Sequence, residues 1–432
     1  MACLLGRAPA PPAYKNSAAP CIERSRASPH DARMHYDPRP PSKSWETGRL
    51  VTVWIKPTER CQLRCAHCFV NQEFLRSSRK WDVATLERIV VRFQDYFRAH
   101  PVPGRTMQLV WHGGEPLLMG PAFFREAMPR IRALLADAGV SVRSSIQSNL
   151  LLIDREWLAL LRDEFPGGIG TSFDWGLRNL AGSWEAFRDR WLDKYRQCRD
   201  AGVAVGAITV VNRACVDRPD EVYDFFAALA CPFETYPMAP WGEDNGKATI
   251  GTFGIGADDY GRWLVRIWER YRDDPAPRAR PVFLDRLARA VALGEPVGNH
   301  MAGDCAAGNL VVSTDGTVSY CPALAGSREH LYGNLLETDL ATLLRSPVRL
   351  AVFRRQLLLP EECRECSWNR VCHGGCPADA LGFLGDALRK DPYCAAYLRV
   401  LPVIADDLAH GRVPAPLRPV IAESARVAAL VS

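Results

Sequence analysis

From residue 50 onward, short runs rich in Val, Ile, Phe, Tyr and Thr alternate with longer stretches of helical periodicity. Such alternation restricts a chain to an α/β fold built on parallel strands with right-handed crossovers. The pattern predicts strands over residues 50–56, 107–111, 142–147, 169–173, 203–211 and 233–237. Helices are expected between them, over 82–100, 121–138, 154–165, 184–201 and 217–230, with a sixth over 258–272. In parallel α/β architectures, loops at the carboxyl ends of the strands form the functional sites.

The unusual polar motifs fall at those ends. After the first strand comes Cys61, Cys65 and Cys68 in a C-x3-C-x2-C spacing. Three thiolates can hold three irons of a cubane [4Fe–4S] cluster and leave the fourth iron open to a small molecule. The competing reading is structural zinc, with His67 as a fourth ligand. His112-Gly113-Gly114-Glu115-Pro116 follows the second strand, Gln147-Ser148-Asn149 ends the third, and Ser172-Phe173-Asp174 ends the fourth. Glycines in the second motif permit a close backbone approach. At Asn149, Ser172 and Asp174, turn capping competes with a binding role.

Seven more spaced cysteines occupy the C-terminal third: Cys305, Cys321, the series Cys363, Cys366, Cys372 and Cys376, and Cys394. An Asp315-Gly316 turn between Val-rich runs predicts a hairpin that presents Cys321. His373, between Cys372 and Cys376, suits a hydrogen bond to sulfur or backbone better than iron ligation. Paired C-x2-C spacings again leave structural zinc open. Cys3, Cys21, Cys198, Cys215 and Cys231 show no partner spacing, and the last three read as buried small hydrophobes.

The first motif resembles the signature of radical S-adenosylmethionine (SAM) enzymes, and the C-terminal series resembles the SPASM auxiliary-cluster domain; together they cover about residues 50–396. This resemblance implies a partial (β/α)6 barrel followed by a Cys-rich SPASM domain. It implies SAM as cofactor, cleaved to a 5′-deoxyadenosyl radical that abstracts hydrogen from the substrate. It implies three [4Fe–4S] clusters: one on Cys61, Cys65 and Cys68, one on Cys363, Cys366, Cys372 and Cys394, and one on Cys305, Cys321 and Cys376 without a fourth cysteine. SAM would be met by Gly113, Gly114, Glu115 and Pro116, and by Asn149, Ser172 and Asp174. Leu150 and Trp175 stand where relatives often carry glycine.

Two substrate classes follow from the resemblance. Sulfatase maturation converts an active-site Cys or Ser into formylglycine, and in that subfamily an Asp follows the second SPASM cysteine as base. Here Cys321 is followed by Pro322-Ala323-Leu324-Ala325. A general base must lie within hydrogen-bond reach of its proton, so this absence favours the other class, modification of a ribosomally made precursor peptide by C–C or C–S crosslinking or a related oxidation. The Trp-His-Gly-Gly-Glu-Pro-Leu-Leu stretch resembles such maturases. A separate leader-binding protein and an electron donor such as flavodoxin or ferredoxin are the expected partners. A radical SAM dehydrogenase of a small molecule, or a non-catalytic electron carrier, are the remaining alternatives.

The net charge of +5, carried by scattered arginines without a basic block, speaks against nucleic acid, and no apolar run reaches spanning length, so no membrane association is expected. Motif-spaced cysteines without a signal peptide point to a cytoplasmic protein. The expected division is a disordered extension over 1–45, the barrel over 46–275, a linker helix over 276–300, the cysteine-rich domain over 301–400 and a helical tail over 401–432. The Gly-rich stretch 239–256, with Trp241, Glu243 and Asp244, reads as a loop lining substrate access.

Overall fold

A computed structural model describes residues 44–70, 72–241, 246–295, 297–298, 301, 305–325 and 327–422. Six parallel strands follow the predicted order: β1 (Leu50–Ile55), β2 (Thr106–Trp111), β3 (Ser141–Ser148), β4 (Ile169–Ser172), β5 (Val205–Val211) and β6 (Phe233–Pro237). Three more strands extend the same sheet: β7 (Asn309–Val312), β8 (Thr317–Ser319) and β9 (Gly333–Asn334). The order is β6-β5-β4-β3-β2-β1-β7-β8-β9. β7 lies parallel to β1, with Ile55 opposite Val312, and β8 and β9 return antiparallel. The expected hairpin is therefore the β7–β8 turn. Asp315 Oδ1 accepts from Thr317 N at 3.0 Å, and Gly316 adopts φ 87°, a conformation that favours glycine.

Alternation along the strands separates two faces. Val51, Val53 and Ile55 of β1, with Met107, Leu109 and Trp111 of β2, are buried, while the residues between them are partly exposed. β5 repeats this pattern. Successive side chains of a strand point to opposite faces. The buried set packs beneath the crossover helices Val83–Ala99, Pro121–Asp137 and their successors, and the half-open set faces the lumen. These helices start where the sequence provides caps: Asp82, Asp154 and Ser183 each accept a backbone N–H of the first turn.

Three boundaries differ from expectation. Ser44 and Trp45, expected within the extension, are both buried; the extension's other residues lie outside those described. The Trp45 indole stacks on Phe97 at 5.8 Å, and its carbonyl accepts from Arg105 Nη2 at 3.1 Å. Within 239–256 the chain forms a helix, Gly246–Phe253, rather than a continuous loop; Glu243 and Asp244 lie outside the described residues. The helix beginning at Cys394 runs to Ala409, across the boundary placed at 400, because its buried stripe Tyr397, Val400, Leu401 and Ile404 continues without interruption. The linker contains the helix Val282–Leu293. No described helix is long and apolar enough to cross a membrane.

Candidate active site

Cys61, Cys65 and Cys68 sit in the loop leaving β1, each partly exposed. Cys68 N donates to Cys65 O at 3.2 Å, and Cys61 N to Leu75 O at 3.2 Å, which fixes the loop's course. Burial pushes the Cys61 thiol up to about 12, with Glu115, Cys65 and Cys68 adding to it; burial likewise pushes Cys65 up to about 11, against the pull of Arg178. Thiols crowded so that each disfavours its neighbour's ionisation suit a cationic iron centre, whose binding releases their protons. The donor set thus fits an iron–sulfur group. Among the described residues, no three His, Cys, Asp or Glu side chains converge as ligands of a single metal ion. His67 Nε2 instead meets Asp174 Oδ2 at 3.0 Å.

The glycine motif is bound to this loop. Gly114 N donates to Thr58 O at 3.1 Å, and Glu115 N to Arg60 O at 2.9 Å. A Cβ on Gly113 would lie 2.0 Å from Thr58 O, and one on Gly114 2.1 Å from Glu59 O. The close approach that demands glycine is thus to the chain's own cluster loop. Pro116 opens the short helix Pro116–Met119. Glu115 is buried and ties three elements together: its carboxylate accepts from Leu117 N at 3.0 Å, Ser148 Oγ at 2.8 Å and Asn149 N at 2.8 Å.

Burial pushes the Glu115 carboxyl up to about 7, against these three donors. Between 4.5, its ordinary value, and about 7 the folded chain holds the proton more tightly than the unfolded chain. Glu115 therefore contributes stability that is full below 4.5 and is lost as pH rises to about 7. Urea midpoints across this range are expected to show that fall, and Glu115→Gln to lack it. The variant should also be weaker by about 1–3 kcal/mol, because an amide N–H then faces the Asn149 N–H.

At the end of β3, Asn149 Oδ1 accepts from Gln62 Nε2 at 2.9 Å, and its Nδ2 lies 3.7 Å from Cys61 Sγ. Leu150 follows at φ 68°, a left-handed conformation that glycine adopts more readily than leucine. Ser172 Oγ faces the lumen and accepts from Gln147 Nε2 at 3.1 Å. Asp174 is fully buried and committed. It accepts from Arg178 Nε at 2.6 Å and Val210 N at 2.8 Å in addition to meeting His67. Burial opposes its ionisation, but Arg178 and His67 outweigh it and hold the carboxyl well below the usual range. Arg178 Nη1 reaches Cys65 Sγ at 3.9 Å, so this ion pair braces the cysteine loop. An acid followed four residues later by an arginine was the available signal for the pair.

Lys56, directly after β1, is buried at the lumen, where a lysine needs a reason. Its Nζ lies 3.7 Å from Glu59 Oε1 and 5.7 Å from the Phe69 ring centre. Phe69 stacks near His112 at 6.2 Å and meets Trp241 edge-on at 6.3 Å. Burial, with Lys56 and Arg178 nearby, lowers the His112 imidazole to about 3, so it is neutral. Trp241 Nε1 donates to Asp379 Oδ1 at 2.8 Å. Thr249, on the helix inside the glycine-rich stretch, donates to Ala66 O at 3.1 Å.

Asp379 leads to the second cysteine region. Cys305 opens the short helix before β7, Cys321 follows β8, and Cys376 caps the helix Pro377–Leu384, which carries Asp379. Burial raises Cys376 well above the usual thiol value, with Asp379, Asp391 and Cys321 contributing; burial also raises Cys321 to about 11, opposed by Lys56. Cys305, Cys321 and Cys376 all act on Tyr320. The other set is mutually coupled in the same way. Burial raises Cys363 to about 11 and Cys372 to about 12, with charges on Cys366 and Cys394 adding to both. Charge coupling thus links Cys363, Cys366, Cys372 and Cys394 with one another and Cys376 with Cys321, and Cys305 joins the latter pair around Tyr320. His373 Nδ1 donates to Met301 O at 3.0 Å, a backbone partner. Asp391 accepts from Cys376 N at 2.8 Å, and a Cβ on Gly375 would collide with it at 2.2 Å.

Comparison with known proteins identifies two domains. Residues 55–226 match the radical SAM superfamily and residues 305–367 the iron–sulfur cluster-binding SPASM domain. A serine-type anaerobic sulfatase-maturating enzyme of Klebsiella aerogenes is 30% identical over 85% of this chain and 86% of its own. A cysteine-type anaerobic sulfatase-maturating enzyme of Clostridium perfringens is 23% identical over 80% of this chain and 94% of its own. Among solved structures, native anSMEcpe with bound AdoMet and Kp18Cys peptide superposes with a TM-score of 0.69 at 22% identity, covering 83% of this chain and 98% of that one. Streptococcus suis SuiB bound to precursor peptide SuiA gives 0.55 at 16%, covering 80% and 75%.

Proposed function

The chain belongs to the radical SAM enzymes that carry a SPASM domain, and from that premise we propose that it oxidises a side chain of a peptide held in the barrel lumen between its first cysteine trio and Cys305, Cys321 and Cys376. One observation carries the reading. The half-open lumen face, with Lys56, Phe69, His112 and Trp241, lies between the two regions, and Lys56 acts on both Cys68 and Cys321. When bound, SAM and the first cluster supply hydrogen-abstracting one-electron chemistry.

The chain's own residues position and enclose. Glu115 locks the glycine loop to β3, Asp174 and Arg178 brace Cys65, and the aromatic wall excludes water from the reacting carbon. The iron–sulfur groups are assigned as three [4Fe–4S] clusters on the cysteine sets above, with Gly113, Gly114, Glu115, Pro116, Asn149, Ser172 and Asp174 around SAM. Asp174 serves that site through Arg178 and His67. A flavodoxin- or ferredoxin-like donor belongs to the proposal.

Similarity to sulfatase-maturating enzymes over 80–85% of this chain favours a single seryl or cysteinyl side chain oxidised to an aldehyde. The turn after Cys321, Pro322–Leu324, has no carboxylate and favours crosslinking of a precursor peptide as the second reading. The test incubates reconstituted protein, SAM and reductant with a Ser- or Cys-bearing sulfatase-motif peptide, and separately with short peptides encoded beside the gene. A hydrazide-reactive product supports the aldehyde. A product lighter by two hydrogens that ignores hydrazide supports the crosslink. SAM cleavage that never alters any peptide sinks both. Trp241→Ala, which opens the aromatic wall, is expected to lower peptide turnover about tenfold while SAM cleavage persists, the scale of about 1.4 kcal/mol in positioning. The measurement is peptide conversion against 5′-deoxyadenosine by chromatography.

A further inference from the structure

Among the described residues, two tyrosine hydroxyls near the Cys305/Cys321/Cys376 trio have no hydrogen-bond partner, although their residues are buried: Tyr320 is 2% exposed and Tyr332 6%. A buried hydroxyl without a partner costs about 1–3 kcal/mol, and phenylalanine would fill the same space without that cost. Such a group calls for an acceptor other than the polypeptide.

The strands explain the placement. Tyr320 joins β8 (Thr317–Ser319) to Cys321. Tyr332 N donates to Val318 O at 2.7 Å, which brings residue 332 alongside β8. Tyr320 lies within electrostatic reach of Cys321, Cys305, Cys376 and Tyr332, and Tyr332 within reach of Cys305 and Cys321. Two buried donors without a described partner therefore lie within electrostatic reach of these thiols. An iron–sulfur group held by those thiols carries sulfide acceptors, and hydrogen bonds to cluster sulfur are a recognised control of its potential.

We propose that Tyr320 and Tyr332 donate hydrogen bonds to the sulfur atoms of the iron–sulfur group held by Cys305, Cys321 and Cys376, raising its reduction potential so that it takes an electron from the substrate. The second half of this proposal rests on the peptide-oxidation reading above. In the step served, the substrate carbon has already given up one hydrogen atom. It then transfers one electron to the group and one proton to solvent; the group is reduced by one electron, which a flavodoxin- or ferredoxin-class carrier removes. Tyr320 and Tyr332 are positioning residues in this scheme and touch no reacting atom.

The test compares the reconstituted full chain with Tyr320→Phe, Tyr332→Phe and the double variant, by iron and sulfide content and by redox titration followed with EPR. All variants are expected to hold the same iron per chain. One auxiliary signal should shift to lower potential in each single variant and further in the double, while the SAM-sensitive signal stays in place. Unchanged midpoints with full iron overturn the proposal. Loss of iron from that site alone also overturns it, since the hydroxyls would then be ligands. The titration contains no substrate, so a shifted potential in a protein that modifies no peptide keeps the hydrogen bonds and discards only the peptide reading.

Discussion

Replacing Cys61, Cys65 and Cys68 together by alanine is expected to abolish 5′-deoxyadenosine formation and remove about a third of the iron, about four of about twelve atoms per chain if three cubanes are present. The cysteines are only partly buried and lie in a loop held by backbone bonds to Leu75 and Leu177, so the barrel should survive their loss. The auxiliary iron should survive too, because its seven cysteines lie beyond residue 300 and are carried by separate elements. Iron and sulfide analysis with a chromatographic nucleoside assay decides the matter. Zinc in place of iron in the wild type, or nucleoside persisting in the triple variant, would contradict the assignment of the radical site to this trio.

Asp174→Ala should destabilise the protein most. It leaves the half-buried Arg178 guanidinium without its carboxylate, Val210 N without its acceptor and His67 without its partner. Breaking a buried ion pair by removing one member costs about 3–5 kcal/mol. The expected result is a lower urea midpoint together with a weakened first cluster, since Arg178 no longer holds its orientation toward Cys65. Asp174→Asn is the informative companion. It keeps the shape but not the charge, and should retain more stability than alanine while still loosening the cluster, read as a faster loss of iron to a chelator. Equal midpoints for wild type and Asp174→Ala would show that Arg178 finds another partner and that the brace is not needed.

Much of the site was legible because its signals are local. The C-x3-C-x2-C spacing, the glycine motif after β2 and the alternation of strands with capped helices all operate within a few residues, and six strands appear where the pattern placed them. The missed features depend on segments far apart in sequence. The pairing of β7 with β1 joins residues about 250 apart, and nothing in 309–312 announces it. Trp45 looked like part of a proline-rich tail because its partners, Phe93 and Phe97, lie on a later helix. The helix Gly246–Phe253 was hidden by its glycines, which lower helix propensity. The tight contacts of Gly113 and Gly114 to residues 58–60 were not legible either, because periodicity cannot tell which backbone a glycine accommodates.

The pairing of β7 with β1 has a consequence for how such a chain can diversify. A hinge would let two reactive centres drift to suit cargoes of different size. Here Ile55 stands opposite Val312 in one hydrogen-bonded ladder, so backbone register works as a caliper between the loop after β1 and the turn that carries Cys321. Register moves only in whole residues of about 3.3 Å, and each single step turns every side chain to the other face. The gap is therefore inherited as a fixed length, and new cargo is accommodated by repapering the walls of the lumen rather than by moving them.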